Sequence, residues 1–417
     1  MSVDFSRHLS AVGEQLQASE IRELLKLLDR PRMISFAGGL PNPAAFPVAG
    51  LEEVVQQVMR EFGPSALQYC PTEGHLRLRN AIAQGMGEHL GAPQDVDNMV
   101  ITAGSQQALY LLCTVLLNPG DVVLTASPTY LGALLTFNAH SADVQAIASD
   151  SDGMIPEALE ERLTELDSQG KRVKAIYLVP TFDNPTGVTM PMSRRQRMYE
   201  IACKHDLVLI EDDPYCLLRY DGELVAPIRS LDVEGRVAYL GSFSKILAPG
   251  FRVGWLAAPP ALSRRVVLAK QAQDLCTNTF GQYCVFGAMK HDLLFPHLET
   301  IKQLYQRKRD RMLAALKQYF PKEIRYQTPQ GGLFLWVELP EHMDSMELLP
   351  MAINHDVAFV TGKPFYPAGD CYNTLRLNFS FAEDEHIDEG IRRLAGVIEP
   401  ALDRGPEPKA DDKVGIF

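Results

Sequence analysis

The 417-residue sequence contains no run of about 18 apolar residues, the length a helix needs to cross a bilayer. Its first residues, MSVDFSRHLSAVGEQLQ, are polar and mixed in charge, so no secretory signal is expected. Cysteine is sparse. The seven cysteines, at 70, 113, 203, 216, 276, 284 and 371, form no C-x-x-C pair. Runs such as YLLCTVLL read as buried free thiols in a reducing cytoplasm. Basic charge is in deficit, with 40 Lys and Arg against 52 Asp and Glu and a net charge of -12. That balance argues against a nucleic-acid surface as the main business of the chain, while leaving room for local basic pockets. No G-x-G-x-x-G follows a strand-like segment, which weakens a dinucleotide-binding reading. Internal repeats and low-complexity tracts are missing too.

What is present is a long, ordinary globular composition, 46% hydrophobic and 22% charged. The length exceeds one typical domain. Short β-branched segments at 99–103, 121–126, 175–180, 207–212 and 237–242 read as strands. Helical patterns lie between them, for example at 105–117, 156–167 and 193–205. Such alternation implies an α/β fold with a mostly parallel sheet covered on both faces. Ligands in these sheets bind beyond the carboxyl ends of the strands. There the chain reads GSQQ, SPTY, TFDNPTG, DDPY and FSK. From about 261 a long helical stretch to 290 and a charged helix at 297–320 lead into LFLWVEL, VAFV and TLRLNF, read as a smaller α+β domain. The expected division is an N-terminal arm and lid over 1–48, a large domain over 49–290 and a small domain over 291–417, ending in a loose tail.

The segment GSFSKILAPGFRVGW, 241–255, is the most informative. Lys245 follows a strand end and two small hydroxyl residues, Ser242 and Ser244. Arg252 stands seven residues on. A Ser/Arg cluster at a sheet's carboxyl edge suits a phosphate. A lysine that attacks a carbonyl must be partly neutral, and burial and a nearby cation both lower its pKa.

S-F-S-K with the following arginine resembles the cofactor-lysine motif of fold-type I, class I/II aminotransferases, which depend on pyridoxal 5′-phosphate. The likeness spans about residues 19–400. SEIRELLKLLDRPRMISFAGGLPNPAAFP is similar to the 2-aminoadipate and aromatic aminotransferase branch. That branch includes the aminotransferase-like halves of GntR-type regulators, but here little chain precedes the match, so a free-standing enzyme is expected. The resemblance implies a large domain with a mostly parallel seven-stranded sheet flanked by helices, plus a smaller α+β domain. It implies a Schiff base on Lys245. Asp212, from D-x-P-Y, would hold the proton on the pyridine nitrogen. Tyr215 and Asn184 would donate to the phenolic oxygen, and Tyr130 would stack on the ring. Ser105 and Gln106, Ser242, Ser244 and Arg252 would hold the phosphate, with Tyr69 reaching into the neighbouring subunit of a homodimer. Arg376 would pair with the substrate α-carboxylate, Asn184 would touch it, and the Gly39 backbone would approach the substrate. Asp183 departs from the neutral residue common in close relatives.

The implied reaction moves an amino group between an L-amino acid and a 2-oxo acid, with 2-oxoglutarate as the expected partner, by a ping-pong cycle. The amino donor could be 2-aminoadipate, an aromatic or a branched aliphatic residue. A β-lyase, racemase or decarboxylase would use the same cofactor motifs, and a non-catalytic regulator of the same shape is a further alternative. No metal, nucleic-acid or membrane partner is expected. Ser19 and the spacing of Ile21, Leu24, Leu25 and Leu28 read as a capped amphipathic helix. In the resembling branch this helix covers the site's mouth, where Arg22 could meet an acidic side chain. Arg22 reads equally as a solvated surface charge.

Overall fold

A computed structural model describes residues 5–15, 32–92 and 95–403. The N-terminal helix expected around Ser19–Leu28, including Arg22, and the tail beyond 403 lie outside the described residues. Among the described residues no helix is long and apolar enough to cross a membrane.

After β1 (Ile34–Ser35) and α1 (Val48–Ala66), the chain enters an α/β layer. It runs through β2 (Met99–Thr102), α2 (Ser105–Leu116), β3 (Val122–Ser127), α3 (Leu131–Ala139), β4 (Asp143–Asp150) and β5 (Gly153–Met154). It continues with α4 (Pro156–Ser168), β6 (Val173–Leu178), α5 (Met192–Lys204), β7 (Val208–Asp212), β8 (Val237–Ser242) and β9 (Gly254–Ala257). The sheet order is β2-β9-β8-β7-β6-β3-β4-β5. Strands β4, β3, β6, β7 and β8 are mutually parallel, and β9 runs antiparallel between β8 and β2. So β2, β3, β6, β7 and β8 all end at one edge. The sheet has eight strands rather than the expected seven. The extra one, β5, hairpins onto β4 where Gly153 adopts φ +93°. Central strands are buried on both faces, which is why they read as continuous apolar runs.

The expected long helix over 261–290 is two helices, α6 (Pro260–Gln273) and α7 (Thr279–Lys290). Leu275 turns left-handed at φ +65°, and the Asn278 side chain accepts from the Gly281 N–H at 2.6 Å to start α7 afresh. Then α8 (Leu294–Tyr319) leads into β10 (Arg325–Tyr326), β11 (Phe334–Glu338) and α9 (Ser345–Asn354). The run VAFV divides into β12 (Val357–Ala358) and β13 (Val360–Thr361), followed by β14 (Thr374–Asn378) and α10 (Asp384–Leu402). The second sheet has the order β10-β11-β14-β13, all antiparallel, while β12 pairs with β1. The segment after residue 32 is thereby stitched to the C-terminal part of the chain.

Candidate active site

At the shared carboxyl edge the loops close on a cavity of about 190 Å³. One end is a polar cup. Gly104 precedes α2 with φ +81°, and a Cβ there would stand 2.7 Å from Arg252 Nη2, so both backbone and space require glycine. No side chain caps α2, and although the Gln107 N–H turns back to Gly104 O at 3.2 Å, the helix's positive dipole end faces the cavity and suits an anion. Arg252, itself left-handed at φ +52°, donates from Nη1 to Ser244 Oγ at 3.3 Å and from Nη2 to Ala103 O at 3.1 Å. The Ser244 N–H donates to Ser242 Oγ at 3.1 Å. The Gln106 amide turns elsewhere, donating to Gly132 O at 2.9 Å and Thr136 Oγ1 at 2.7 Å. Its carbonyl accepts from the Tyr130 hydroxyl at 3.3 Å. Gln106 thus orients Tyr130 and offers an anion its backbone.

Asp212 ends β7 in the middle of the sheet and is buried. Its Oδ2 accepts from the Tyr177 hydroxyl at 2.9 Å, while Oδ1 is buried without a hydrogen-bond partner. Burial pushes its pKa to about 7, the neighbouring Asp213 carboxylate adds to the rise, and the hydroxyls of Tyr177 and Ser105 oppose it. Tyr215, on the loop after β7, packs edge-on against Phe334 at 5.8 Å. Burial raises its pKa, and Asn184 faces its hydroxyl.

Lys245 donates from Nζ to the Gly39 carbonyl at 2.8 Å. Burial first, then the Arg376 and Arg252 cations, bring its pKa down to about 8. A Cβ on Gly39 would meet Phe334 at 3.3 Å, so this bend of the chain is pressed against β11. Arg376, on β14, is buried between the rings of Phe334 and Phe365, at 4.2 and 5.2 Å from their centroids. It donates to Asn184 Oδ1 at 2.7 Å and Ala37 O at 3.0 Å, and its Nε is buried and unpartnered. Burial lowers its pKa to about 10.

Ser105, Gln106, Tyr130, Asn184, Asp212, Tyr215, Ser242, Ser244, Lys245, Arg252 and Gly39 therefore line one cavity, and Arg376 joins them through Asn184. Tyr69 does not line it; that residue is 76% exposed on the chain's outer surface. Asp183 faces a separate small cleft, where its carboxylate accepts from Thr186 Oγ1 at 2.7 Å and caps the turn of N-P-T-G. Burial raises its pKa to about 7. Sequence reasoning passed over Phe334, Phe365 and Tyr177. Each sits in an apolar strand or loop and looks like core; Tyr177 betrays itself only by carrying a hydroxyl in the buried run AIYLVP.

Fold and site together bring into one cavity a cup of serine and arginine donors at a helix N-terminus, a buried lysine, and a buried carboxylate with one oxygen left without a partner, the arrangement of an enzyme site that could take an anionic cofactor. Residues 43–394 match the family model of aminotransferase class I and II, and the chain belongs to that family. It is 44% identical over 96% of its length to aromatic-amino-acid aminotransferase 1 of Thermococcus litoralis, 96% of which is covered. It is 40% identical to 2-aminoadipate transaminase of Thermus thermophilus, covering 93% of this chain and 96% of that one. The crystal structure of Pyrococcus horikoshii kynurenine aminotransferase in complex with PMP superposes with a TM-score of 0.93 at 46% identity, covering 96% of this chain and 98% of the other. The protein is a pyridoxal-phosphate-dependent aminotransferase of fold type I.

Proposed function

We propose that this aminotransferase exchanges amino groups between glutamate and a broad second group of substrates, 2-aminoadipate, aromatic or branched aliphatic, with 2-oxoglutarate as the common acceptor. The breadth rests on the relatives, named for aromatic and 2-aminoadipate substrates. The site roles rest above all on one observation: Asp212 Oδ1 is buried without a partner in the cavity that also holds the Lys245 amine.

The residues fit pyridoxal phosphate. The amides of α2 with Ser242, Ser244 and Arg252 would hold the phosphate, Tyr130 would stack on the ring, and Tyr215 with Asn184 would donate to the phenolic oxygen. Asp212 would keep a proton on the ring nitrogen. When bound, the cofactor supplies the electron sink for the charge left at the substrate α-carbon. Arg376 grips the substrate α-carboxylate, and its rigid place between two rings sets the α-carbon's position. Lys245, with its pKa near 8, exists as free amine in useful amount near neutrality and takes the α-proton through Nζ. The two half-reactions use the same groups, so the first product leaves before the second substrate binds.

Exposed Tyr69 supports a homodimer with shared sites. Seven free thiols suit the cytoplasm. The pairing of β1 with β12 supports assigning residues 1–48 to the small C-terminal domain over 291–417, apart from a large domain over 49–290. Outside the described residues, Arg22 is a candidate reader of acidic side chains. A panel of amino acids scored by single half-reactions, following the cofactor's absorbance and the 2-oxo acid released, tests this reading. Glutamate and at least one aromatic or 2-aminoadipate donor should react. Loss of the amino group as ammonia, or of carbon dioxide, would replace transamination with another reaction.

A further inference from the structure

Tyr177 lies on β6, one strand from Asp212, and is fully buried. Its ring packs edge-to-face on Phe137, with centroids 5.6 Å apart. A phenylalanine would fill the same space. A buried hydroxyl costs stability unless it is bonded, and this one spends its hydrogen bond on Asp212 Oδ2 at 2.9 Å. The other carboxylate oxygen, Oδ1, has no partner. The Ser105 hydroxyl also lies toward this carboxylate, but only the Tyr177 bond closes on one oxygen and so makes two chemically equal oxygens unequal.

We propose that Tyr177 is a positioning residue, which locks the Asp212 carboxylate by Oδ2 so that Oδ1 alone faces the ring nitrogen of the bound cofactor. This rests on the role given to Asp212 above. The hydroxyl also stabilises the ionised form of a carboxylate that burial and the nearby Asp213 push toward neutrality. Only the ionised form can fully balance a protonated ring nitrogen. Without the hydroxyl, Oδ2 would be buried and unbonded, the carboxylate free to turn, and its charge less favoured. Tyr130 and Asp183 are the other ionisable groups whose fields reach the Tyr177 hydroxyl, and neither replaces that donor.

The test compares full-length wild type, Tyr177→Phe, Asp212→Asn and the double variant, each reconstituted with pyridoxal phosphate or with its 1-deaza analogue, in which carbon replaces the ring nitrogen. Cofactor affinity is read by absorbance titration, and the first half-reaction with glutamate by stopped flow. With pyridoxal phosphate, Tyr177→Phe should bind about tenfold more weakly and react more slowly, as expected for loss of one hydrogen bond to a charged group. With the deaza analogue it should bind as wild type does. The double variant should bind pyridoxal phosphate no worse than Asp212→Asn alone, because both changes break one linkage. Equal weakening with both cofactors would make Tyr177 a packing residue and overturn the proposal, as would unchanged affinity and rate. If Asp212→Asn itself fails to distinguish the two cofactors, the role given to Asp212 falls and the proposal falls with it. If Asp212→Asn distinguishes them and Tyr177→Phe does not, Tyr177 alone is misassigned.

Discussion

At the scale of single side chains, the roles proposed for Lys245 and Asp212 turn on protonation. Lys245→Ala should lower the half-reaction rate by at least about 10²–10⁴-fold, the range for removing a general acid–base group, while the phosphate cup still binds cofactor. Near-normal transamination by this variant, in single-turnover measurements, would remove Lys245 from its role. Asp212 carries a stability signature as well. Its folded pKa, about 7, lies above the usual 3.8, so the cofactor-free fold favours the protonated form and loses stability as pH rises between those values. Asp212→Asn should therefore be more stable than wild type without cofactor. The gap should grow from pH 4 to 7 and level off above, with an upper bound on the order of 4 kcal/mol. Denaturant melts at pH 5 and pH 8 read it, and a gap that shrinks with pH would contradict the burial argument. Lys245, Asp212 and Arg252 were legible in the sequence because each is a chemically conspicuous residue in a short polar motif after a strand. Tyr177 and Phe334 were not, since their local pattern is that of core and only the fold brings them to Asp212 and Arg376.

Arg376 shows what an element adds to a residue. In β14 it stands opposite Trp336 on one side and Val360 on the other, so its guanidinium leaves the sheet at a fixed point and is clamped by Phe334 and Phe365. Lysine would keep the charge and lose both the planar fork and the stacking. Arg376→Lys should reduce kcat/KM by about 10–100-fold for amino and oxo acids alike, equivalent to losing one charge-assisted hydrogen bond. Steady-state kinetics with both substrate types checks it, and an effect confined to one side chain class would instead make Arg376 a side-chain reader. The strands that end at the site were legible from their apolar, β-branched runs. Harder to see were β9, only four residues long, and the split of α6 from α7. The split depends on a left-handed Leu275, which no local preference announces.

At the scale of the molecule, the cavity's residues come from segments more than 300 positions apart, from Gly39 to Arg376, yet Tyr69 stands outside it. A large aromatic side chain left 76% exposed, beside Leu67 at 70%, is the kind of surface that another protein covers. If a second copy covers it, each cavity is completed by Tyr69 of the other chain, and the two defects become separable. A chain lacking Lys245 still offers Tyr69 to its partner, and a chain lacking Tyr69 still offers Lys245. Lys245→Ala and Tyr69→Phe chains, each weak alone, should together form heterodimers with one intact site and one doubly defective site. Random pairing of equal amounts puts half of the dimers in the mixed form, so activity after co-refolding should approach a quarter of the wild-type value per site. Tyr69→Phe alone should chiefly weaken cofactor binding by loss of one phosphate contact, about tenfold. The mixture is therefore assayed at limiting cofactor. Activity no higher than the mean of the two single variants would place Tyr69 outside the site altogether. An active monomer in sedimentation would show that the cavity is complete within one chain.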